Sequence, residues 1–326
     1  MAEPVLKCRD LSVSFTVGDQ RLEAVSNLSF DLNAEECLGI VGESGSGKSQ
    51  TFLAALGLLA QNGQATGSVE YRGREILNAP RQELDKLRGN RIAMVFQDAL
   101  SGLTPTMRIG RQLSESVERH LGMNAEDARG RALEMLEIVN IPDAKQRMNA
   151  YPFELSGGMR QRVMIALAMI CRPDVLIADE PTTALDVTVQ AQILRLLDGL
   201  KRNTKTSIVM ITHDLAVVAG LCDRILIMYG GRPVELGTTS EIFSHPRHPY
   251  TAGLLRSMPS LTIDPDVDLP AIPGQPPDIS QLPTGCAFAE RCERAADRCR
   301  REGPVLTATN TGQTVACHFP MDGNQP

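Results

Sequence analysis

What the chain does not contain narrows it first. No apolar run approaches the length of a bilayer span; the best, Val163-Met164-Ile165-Ala166-Leu167-Ala168-Met169-Ile170-Cys171, reaches about half of it. Any role at a membrane is therefore expected to be peripheral. The opening residues, Met1-Ala2-Glu3-Pro4-Val5, lack the basic and apolar character of a secretory leader. A surplus of positive charge is also missing, since 33 Lys and Arg stand against 39 Asp and Glu, for a net charge of −6. That balance argues against a protein whose main task is to coat nucleic acid, while leaving room for a local basic patch. The 326 residues supply material for one large domain and a smaller appendage.

The stretch that organises the rest is Gly42-Glu43-Ser44-Gly45-Ser46-Gly47-Lys48-Ser49. It follows the apolar run Leu38-Gly39-Ile40-Val41 and precedes Thr51-Phe52-Leu53-Ala54-Ala55-Leu56, so it reads as strand, glycine loop and helix. A triphosphate is a dense cluster of anionic oxygens. Glycines such as Gly42, Gly45 and Gly47 let backbone N–H groups approach it, with Ser44 in the same turn, and the following helix aims its N-terminal dipole at the same charge. Lys48 is then expected to reach the β- and γ-phosphates, and Ser49 to ligate Mg²⁺.

Residues 5–32 alternate apolar and polar in short stretches and suggest half-buried antiparallel strands. Phe15 closes one of them, where it either stacks on a nucleobase or fills the core. The unbroken run Ile92-Ala93-Met94-Val95-Phe96 fits a buried parallel strand, and it places Gln97 where open α/β sheets put their ligands. A helical insertion follows, with Ala128, Ala132, Met135 or Leu136, and Val139 at helical spacing. Ser156-Gly157-Gly158 precedes an apolar-periodic stretch and predicts a Ser-capped helix start with bare glycine amides, a second anion site.

Val175-Leu176-Ile177-Ala178 is another buried strand and ends in Asp179 and Glu180. Adjacent carboxylates at a strand end repel unless a cation resolves them. With a cation between phosphate and Asp179, Glu180 is left to polarise a water for attack on phosphorus. The strand from Ser207 to Ile211 leads to Thr212-His213-Asp214, and His213 is expected to contact the γ-phosphate or the attacking water.

Eight cysteines fall into two groups. Cys8, Cys37, Cys171 and Cys222 are scattered and read as small buried thiols. Cys286, Cys292, Cys299 and Cys317 follow a proline-rich stretch over residues 261–285 that includes Pro276-Pro277 and reads as an extended linker. Their spacing is C-x5-C-x6-C-x17-C, interleaved with Arg291, Arg294, Arg298, Arg300 and Arg301. Four such thiols can hold a [4Fe–4S] cluster, a tetrahedral Zn²⁺ or two disulfides. The gaps are wider than the pairs typical of zinc, and the arginines either offset an anionic cluster, form a nucleic-acid patch or make a solvated face.

These motifs together resemble the ATP-binding subunits of ABC transporters, and the similarity covers essentially the whole chain. In that family Gly42 to Ser49 is the phosphate loop, Gln97 the Q-loop glutamine, and Leu155-Ser156-Gly157-Gly158-Met159 the signature. Asp179 and Glu180 match the Walker B pair, Ala184-Leu185-Asp186 the D-loop, His213 the switch histidine and Phe15 the adenine-stacking aromatic. The resemblance implies an α/β P-loop NTPase fold: a RecA-like parallel core, an antiparallel β subdomain, a helical subdomain at about residues 99–160, and a small Cys-rich C-terminal extension. It implies a nucleotide-binding domain over 1–260 and a linker with Cys-rich domain over 261–326. ATP is the substrate, with Mg²⁺ held by Ser49, Gln97 and Asp179, and with Glu180, His213 and Gln97 as the catalytic group. Ser156, Gly157 and Gly158 would cap ATP bound to a partner subunit.

Within that family the chain looks most like the dipeptide and oligopeptide permease ATPases, on the strength of His248-Pro249-Tyr250-Thr251, Pro181-Thr182-Thr183-Ala184-Leu185-Asp186 and the cysteine-bearing tail. Some of those carry a [4Fe–4S] cluster, which favours iron–sulfur at Cys286, Cys292, Cys299 and Cys317 over zinc. The chain departs from the common pattern at Ala99 and Thr104, where proline and asparagine are usual, in a loop that faces membrane subunits. The expected activity is ATP hydrolysis driving peptide uptake at the cytoplasmic face of the bacterial inner membrane. The expected partners are a second ATPase subunit, most simply a paralogue, two transmembrane permease subunits and, indirectly, an extracytoplasmic peptide-binding protein, with no nucleic acid. The alternatives are a soluble ABC ATPase acting on nucleic acid, or an importer for another small substrate such as nickel or glutathione.

Overall fold

The computed structural model describes residues 3–98, 102–183, 185–258, 270–310 and 312–322. They form two compact units that interleave along the chain. One comprises Leu6–Asp31, Cys37–Asn78 and Thr212–Pro326; the other comprises Met1–Val5, Leu32–Glu36 and Ala79–Ile211. The first contains the phosphate loop and the four C-terminal cysteines, the second the paired carboxylates and the signature glycines.

In the phosphate-loop unit, the strands Leu6–Val17 and Gly63–Tyr71 pair antiparallel from Leu6 opposite Tyr71 to Phe15 opposite Gly63. The hairpin partner Gln20–Leu32 and the short strand Arg74–Glu75 flank them. Alternation works as expected: Leu11 and Val13 are fully buried on one face. These strands are longer than the short apolar stretches suggest, because polar residues on the outer face interrupt the pattern without interrupting the ladder.

A second sheet in the same unit begins with Cys37–Val41, every residue of which is buried, as a parallel strand covered on both faces requires. It runs parallel to Arg224–Tyr229, which pairs antiparallel with Arg232–Thr238. The C-terminal segment then adds two short strands, Thr314–Val315 against Arg232–Thr238 and Thr307–Ala308 beyond it. Helix Lys48–Ala55 is anchored by Phe52, fully buried with its ring 6.0 Å from that of Phe30. Cys8, Cys37 and Cys222 are buried as expected, and so is Cys171 in the other unit.

The proline-rich stretch is less of a free linker than its composition suggests. Residues 261–269 lie outside the described residues, but Pro270 O accepts from Ser257 Oγ at 2.7 Å, and Arg291 binds the carbonyls of Ile272 and Pro273. A chain rich in proline has few N–H donors to offer, so it is fastened through its carbonyl oxygens.

In the other unit the parallel strands Ile92–Val95, Val175–Asp179 and Ser207–Thr212 lie side by side, with Ile92 opposite Val175 and Asp179 opposite Ile211. The first stops one residue short of the apolar run: Phe96 is 41% exposed. The insertion contains the helices Ile109–Leu121, Ala125–Ile138 and Ala144–Arg147. Ala128, Ala132, Met135 and Leu136 form the buried face of Ala125–Ile138, as their spacing predicts. Asn124 caps that helix by accepting from Asp127 N at 2.9 Å, a contact of about 1 kcal/mol. The expected start of the insertion at Ala99 lies outside the described residues. No described helix is long and apolar enough to cross a membrane.

Candidate active site

The phosphate loop leaves the buried strand Cys37–Val41 and enters helix Lys48–Ala55. Its glycines are fixed by close packing as well as by conformation. A Cβ on Gly42 would lie 2.2 Å from Met228 O, and one on Gly47 would lie 2.2 Å from Ala24 O. Gly47 also has φ +86°, in the region L side chains avoid, and as the helix N-cap it supplies no side-chain oxygen to the helix amides. Those N–H groups and the helix dipole are left for an anion. Gly45 has φ +80°, while Ser44 and Gly45 are exposed on the outer turn. Lys48, 6% exposed, donates from Nζ to Gly42 O at 2.8 Å and Glu43 O at 2.9 Å, so the loop's own carbonyls seat its ammonium. Ser49 follows, half-buried in the first turn. Phe15 lies in the same unit, half-buried, with its ring over Gly63.

In the other unit the strand Val175–Asp179 delivers its carboxylates as expected. Asp179 is 6% exposed, and Glu180 stands just past the strand with φ +46°. A non-glycine residue there costs about 1–3 kcal/mol and persists only where its surroundings enforce it. They do: Glu180 N donates to Ile211 O at 2.9 Å, and Glu180 Oε2 accepts from Gln97 Nε2 at 2.9 Å and from Thr183 Oγ1 at 2.8 Å. The structure thus brings together Gln97 and Glu180, which the sequence separates by 83 positions. Thr183 is an addition that sequence reasoning missed, although its place three residues after Glu180 in a turn was a usable signal.

Ser156 caps helix Gly157–Met169 by accepting from Met159 N at 3.4 Å. Ser156 and Gly157 are exposed. Asp186 caps helix Val187–Thr204, accepting from Val189 N at 3.0 Å; its D-loop neighbour Ala184 lies outside the described residues. His213 is exposed just beyond the strand Ser207–Thr212 and belongs to the phosphate-loop unit, whereas Gln97, Asp179 and Glu180 belong to the other.

The C-terminal thiols converge. Cys286, Cys292, Cys299 and Cys317 line one cavity together with His248 and Arg294. Burial pushes the Cys317 thiol up to about 11, with the other three cysteines adding to the shift, and Cys286 and Cys292 are raised for the same reasons. Among the described residues no three His, Cys, Asp or Glu side chains are grouped to hold a single metal ion. Of the readings open for the interleaved arginines, a solvated face describes most of them. Arg298 pairs with Glu302, Arg300 and Arg301 pair with Asp297, and Arg291 reaches away to Glu43. Only Arg294 of the five lines the cavity.

Comparison with known proteins places these features in a family. A model described as ABC transporter matches residues 25–183, and one described as the C-terminal region of oligopeptide/dipeptide transporters matches residues 234–299. The chain is 52% identical over 314 residues to the oligopeptide transport ATP-binding protein OppD of Haemophilus influenzae, covering 96% of this chain and 97% of that one. It is 46% identical over 324 residues to the probable D,D-dipeptide transport ATP-binding protein DdpD of Escherichia coli, covering 98% of each. A dimeric ATP-binding cassette solved in a post-hydrolysis state with ADP and Pi is similar with a TM-score of 0.65 at 27% identity, covering 72% of this chain and 98% of that one. The protein therefore belongs to the ATP-binding subunits of ABC transporters, in the oligopeptide and dipeptide transporter group whose C-terminal region it shares.

Proposed function

We infer that this protein is the ATP-hydrolysing subunit of an importer that takes up di- and oligopeptides through membrane-embedded permease subunits. The observation that carries this reading is the union, in one chain, of a complete set of nucleotide motifs with a C-terminal region of the oligopeptide/dipeptide type. Two transmembrane permease subunits, an extracytoplasmic peptide-binding protein and a paralogous second ATPase subunit complete the assembly, and the chain sits peripherally at the cytoplasmic face. An aromatic pair supports a protein-facing surface on the helical insertion: Phe153 is 67% exposed and its ring stacks on Tyr151 at 5.6 Å. Residues 1–260 form the nucleotide-binding domain, with a helical subdomain at about 99–160, and residues 261–326 the cysteine-bearing C-terminal domain.

The chemistry assigned to these residues is as follows. The loop amides and Lys48 bind the β- and γ-phosphates, and Phe15 stacks on the adenine. Ser49, Gln97 and Asp179 would hold Mg²⁺, which would offset charge on the phosphate oxygens. Glu180, steadied by Gln97 and Thr183, accepts a proton from the attacking water as the bond to the leaving ADP breaks, and His213 orients that water. Ser156, Gly157 and Gly158 present their amides to the γ-phosphate on a partner subunit, so binding closes the pair and hydrolysis reopens it.

The test is ATP turnover by the chain assembled with its permease subunits in vesicles. Peptide-loaded binding protein should stimulate turnover several-fold. Stimulation by nickel or glutathione in place of peptide would reassign the cargo.

For the C-terminal cysteines we propose a [4Fe–4S] cluster that Cys286, Cys292, Cys299 and Cys317 would hold, with Zn²⁺ as the alternative; the four side chains line one cavity without being drawn together around a single metal ion. Four thiols line one cavity, and burial raises Cys286, Cys292 and Cys317, an arrangement that an electropositive occupant would relieve. His248 lines the same cavity. Its Nδ1 accepts from Tyr250 N at 3.0 Å, which leaves the ring proton on Nε2, and buried Nε2 has no partner. A donor stranded there would be satisfied by thiolate or sulfide. A bound cluster supplies a structural tie for a segment too small and polar to fold alone. Protein purified without oxygen should be brown and absorb broadly near about 400 nm, with Cys299→Ser losing both the colour and the iron. Stoichiometric zinc in the wild-type chain would overturn the cluster.

A further inference from the structure

The C-terminal region touches the phosphate loop directly, through Arg291, the residue before Cys292. Its side chain is 8% exposed and uses all three nitrogens. Nη1 donates to Glu43 Oε2 at 2.8 Å, Glu43 Oε1 at 3.1 Å and Tyr229 Oη at 3.1 Å. Nε donates to Pro273 O at 2.8 Å, and Nη2 to Ile272 O at 3.3 Å. One guanidinium thereby gathers the proline-rich stretch, a strand of the sheet and the loop.

Glu43 is the second residue of that loop, and each of its polar groups has a different task. Its carboxylate takes Arg291, its N–H donates to Tyr250 Oη at 3.1 Å, and its C=O accepts from Lys48 Nζ at 2.9 Å. Arg291 and Tyr250 come from the cysteine segment and the helix Pro249–Arg256, 248 and 207 positions away in sequence. One of the two peptide carbonyls that seat Lys48 is therefore located by the C-terminal region. A carboxylate beside a triphosphate site is electrostatically adverse; its presence next to Lys48 makes sense as the handle by which the loop is held.

We propose that Arg291 is a positioning residue for ATP binding: through Glu43 it fixes the phosphate loop and hence the Lys48 ammonium, so the C-terminal region completes the nucleotide site. This holds whatever occupies the cysteine cavity, and it rests on the reading of residues 42–49 as the ATP phosphate site. Because Arg291 adjoins Cys292, disturbance of that cavity is transmitted to Glu43 by one peptide unit.

Two variants separate positioning from plain electrostatics. Glu43→Gln removes a negative charge near the phosphates, and Arg291→Lys keeps the positive one but loses the planar fork. Electrostatics alone leaves ATP affinity unchanged or raised in both. Positioning lowers it in both, by about fivefold or more, the lower end of ordinary coupling between sites. The double variant should be no worse than the weaker-binding single one, since both break the same contact.

The experiment is equilibrium titration of the full chain with a fluorescent ATP analogue, with Lys48→Ala alongside. Unchanged affinity in Glu43→Gln overturns the proposal, as does strict additivity in the double variant. If Arg291→Lys fails to fold, Glu43→Gln alone decides. If Lys48→Ala binds the analogue as wild type does, the phosphate-loop reading itself fails; if it alone loses binding, only the positioning role does.

Discussion

Glu180→Gln should lower ATP turnover of the assembled complex by about 10²–10⁴-fold, the usual contribution of a general base, while ATP binding is kept. The substitution is well suited to the site. Glu180 Oε2 accepts two hydrogen bonds, from Gln97 Nε2 and Thr183 Oγ1, and the amide oxygen of glutamine can accept the same pair. The side chain keeps its length, and the backbone at φ +46° is unaffected by an isosteric change. Only proton affinity is lost. Phosphate release at saturating ATP reads the rate, and the dimer fraction by size exclusion reads the closed state, which should accumulate because ATP stays bound. Turnover within about tenfold of wild type would remove Glu180 from the role of base. Gln97→Ala serves as the contrast: it removes one steadying hydrogen bond but leaves the carboxylate, so its effect on rate should be the smaller.

Much of this site is legible along the chain because its parts are local. The strand from Val175 to Asp179 is a run of buried apolar residues that ends in its carboxylates, and neighbouring residues suffice to read it. The same is true of the Ser156 cap and of the glycines that open helix Lys48–Ala55. What escapes is whatever depends on distant partners. Nothing near Gly42 announces that Met228 O closes the space for a Cβ, nor near Glu43 that its carboxylate belongs to Arg291. The spacing of the four cysteines suggests a shared ligand but not that His248, the N-cap of helix Pro249–Arg256, joins their cavity. The role of the arginines between them stays open in the sequence because charge is read there without partners. Most are in local ion pairs on the short helix Asp297–Arg301 and its flank, exposed pairs worth about 0–1 kcal/mol each. The tail's two short strands were illegible for a related reason: two-residue strands carry no periodicity, and only the edge offered by Arg232–Thr238 makes them strands.

Lys48→Ala should reduce ATP affinity by about 2–5 kcal/mol, or roughly 30- to 5,000-fold. The ammonium is buried, held by the carbonyls of Gly42 and Glu43, and aligned with the amides of an uncapped helix start. Removing it takes away the one full positive charge that the loop itself carries toward the phosphates. It also leaves two loop carbonyls without that donor, a cost of about 1–3 kcal/mol for each buried group that water cannot reach. The two effects are separable because they act on different equilibria. Loss of carbonyl satisfaction lowers the unfolding temperature of the chain without nucleotide, whereas loss of phosphate binding abolishes the further rise that ATP confers. A ligand at about 100 times its dissociation constant stabilises by about 2.7 kcal/mol, and at or below that constant by a few tenths. Thermal unfolding with and without Mg-ATP should therefore show a clear shift for wild type and almost none for Lys48→Ala. Lys48→Arg should not restore it, since a planar guanidinium cannot take the place of a compact ammonium seated between two carbonyls. An ATP-dependent shift of wild-type size in Lys48→Ala would mean that nucleotide is held elsewhere, and the roles assigned to Glu43 and Arg291 would fall with it.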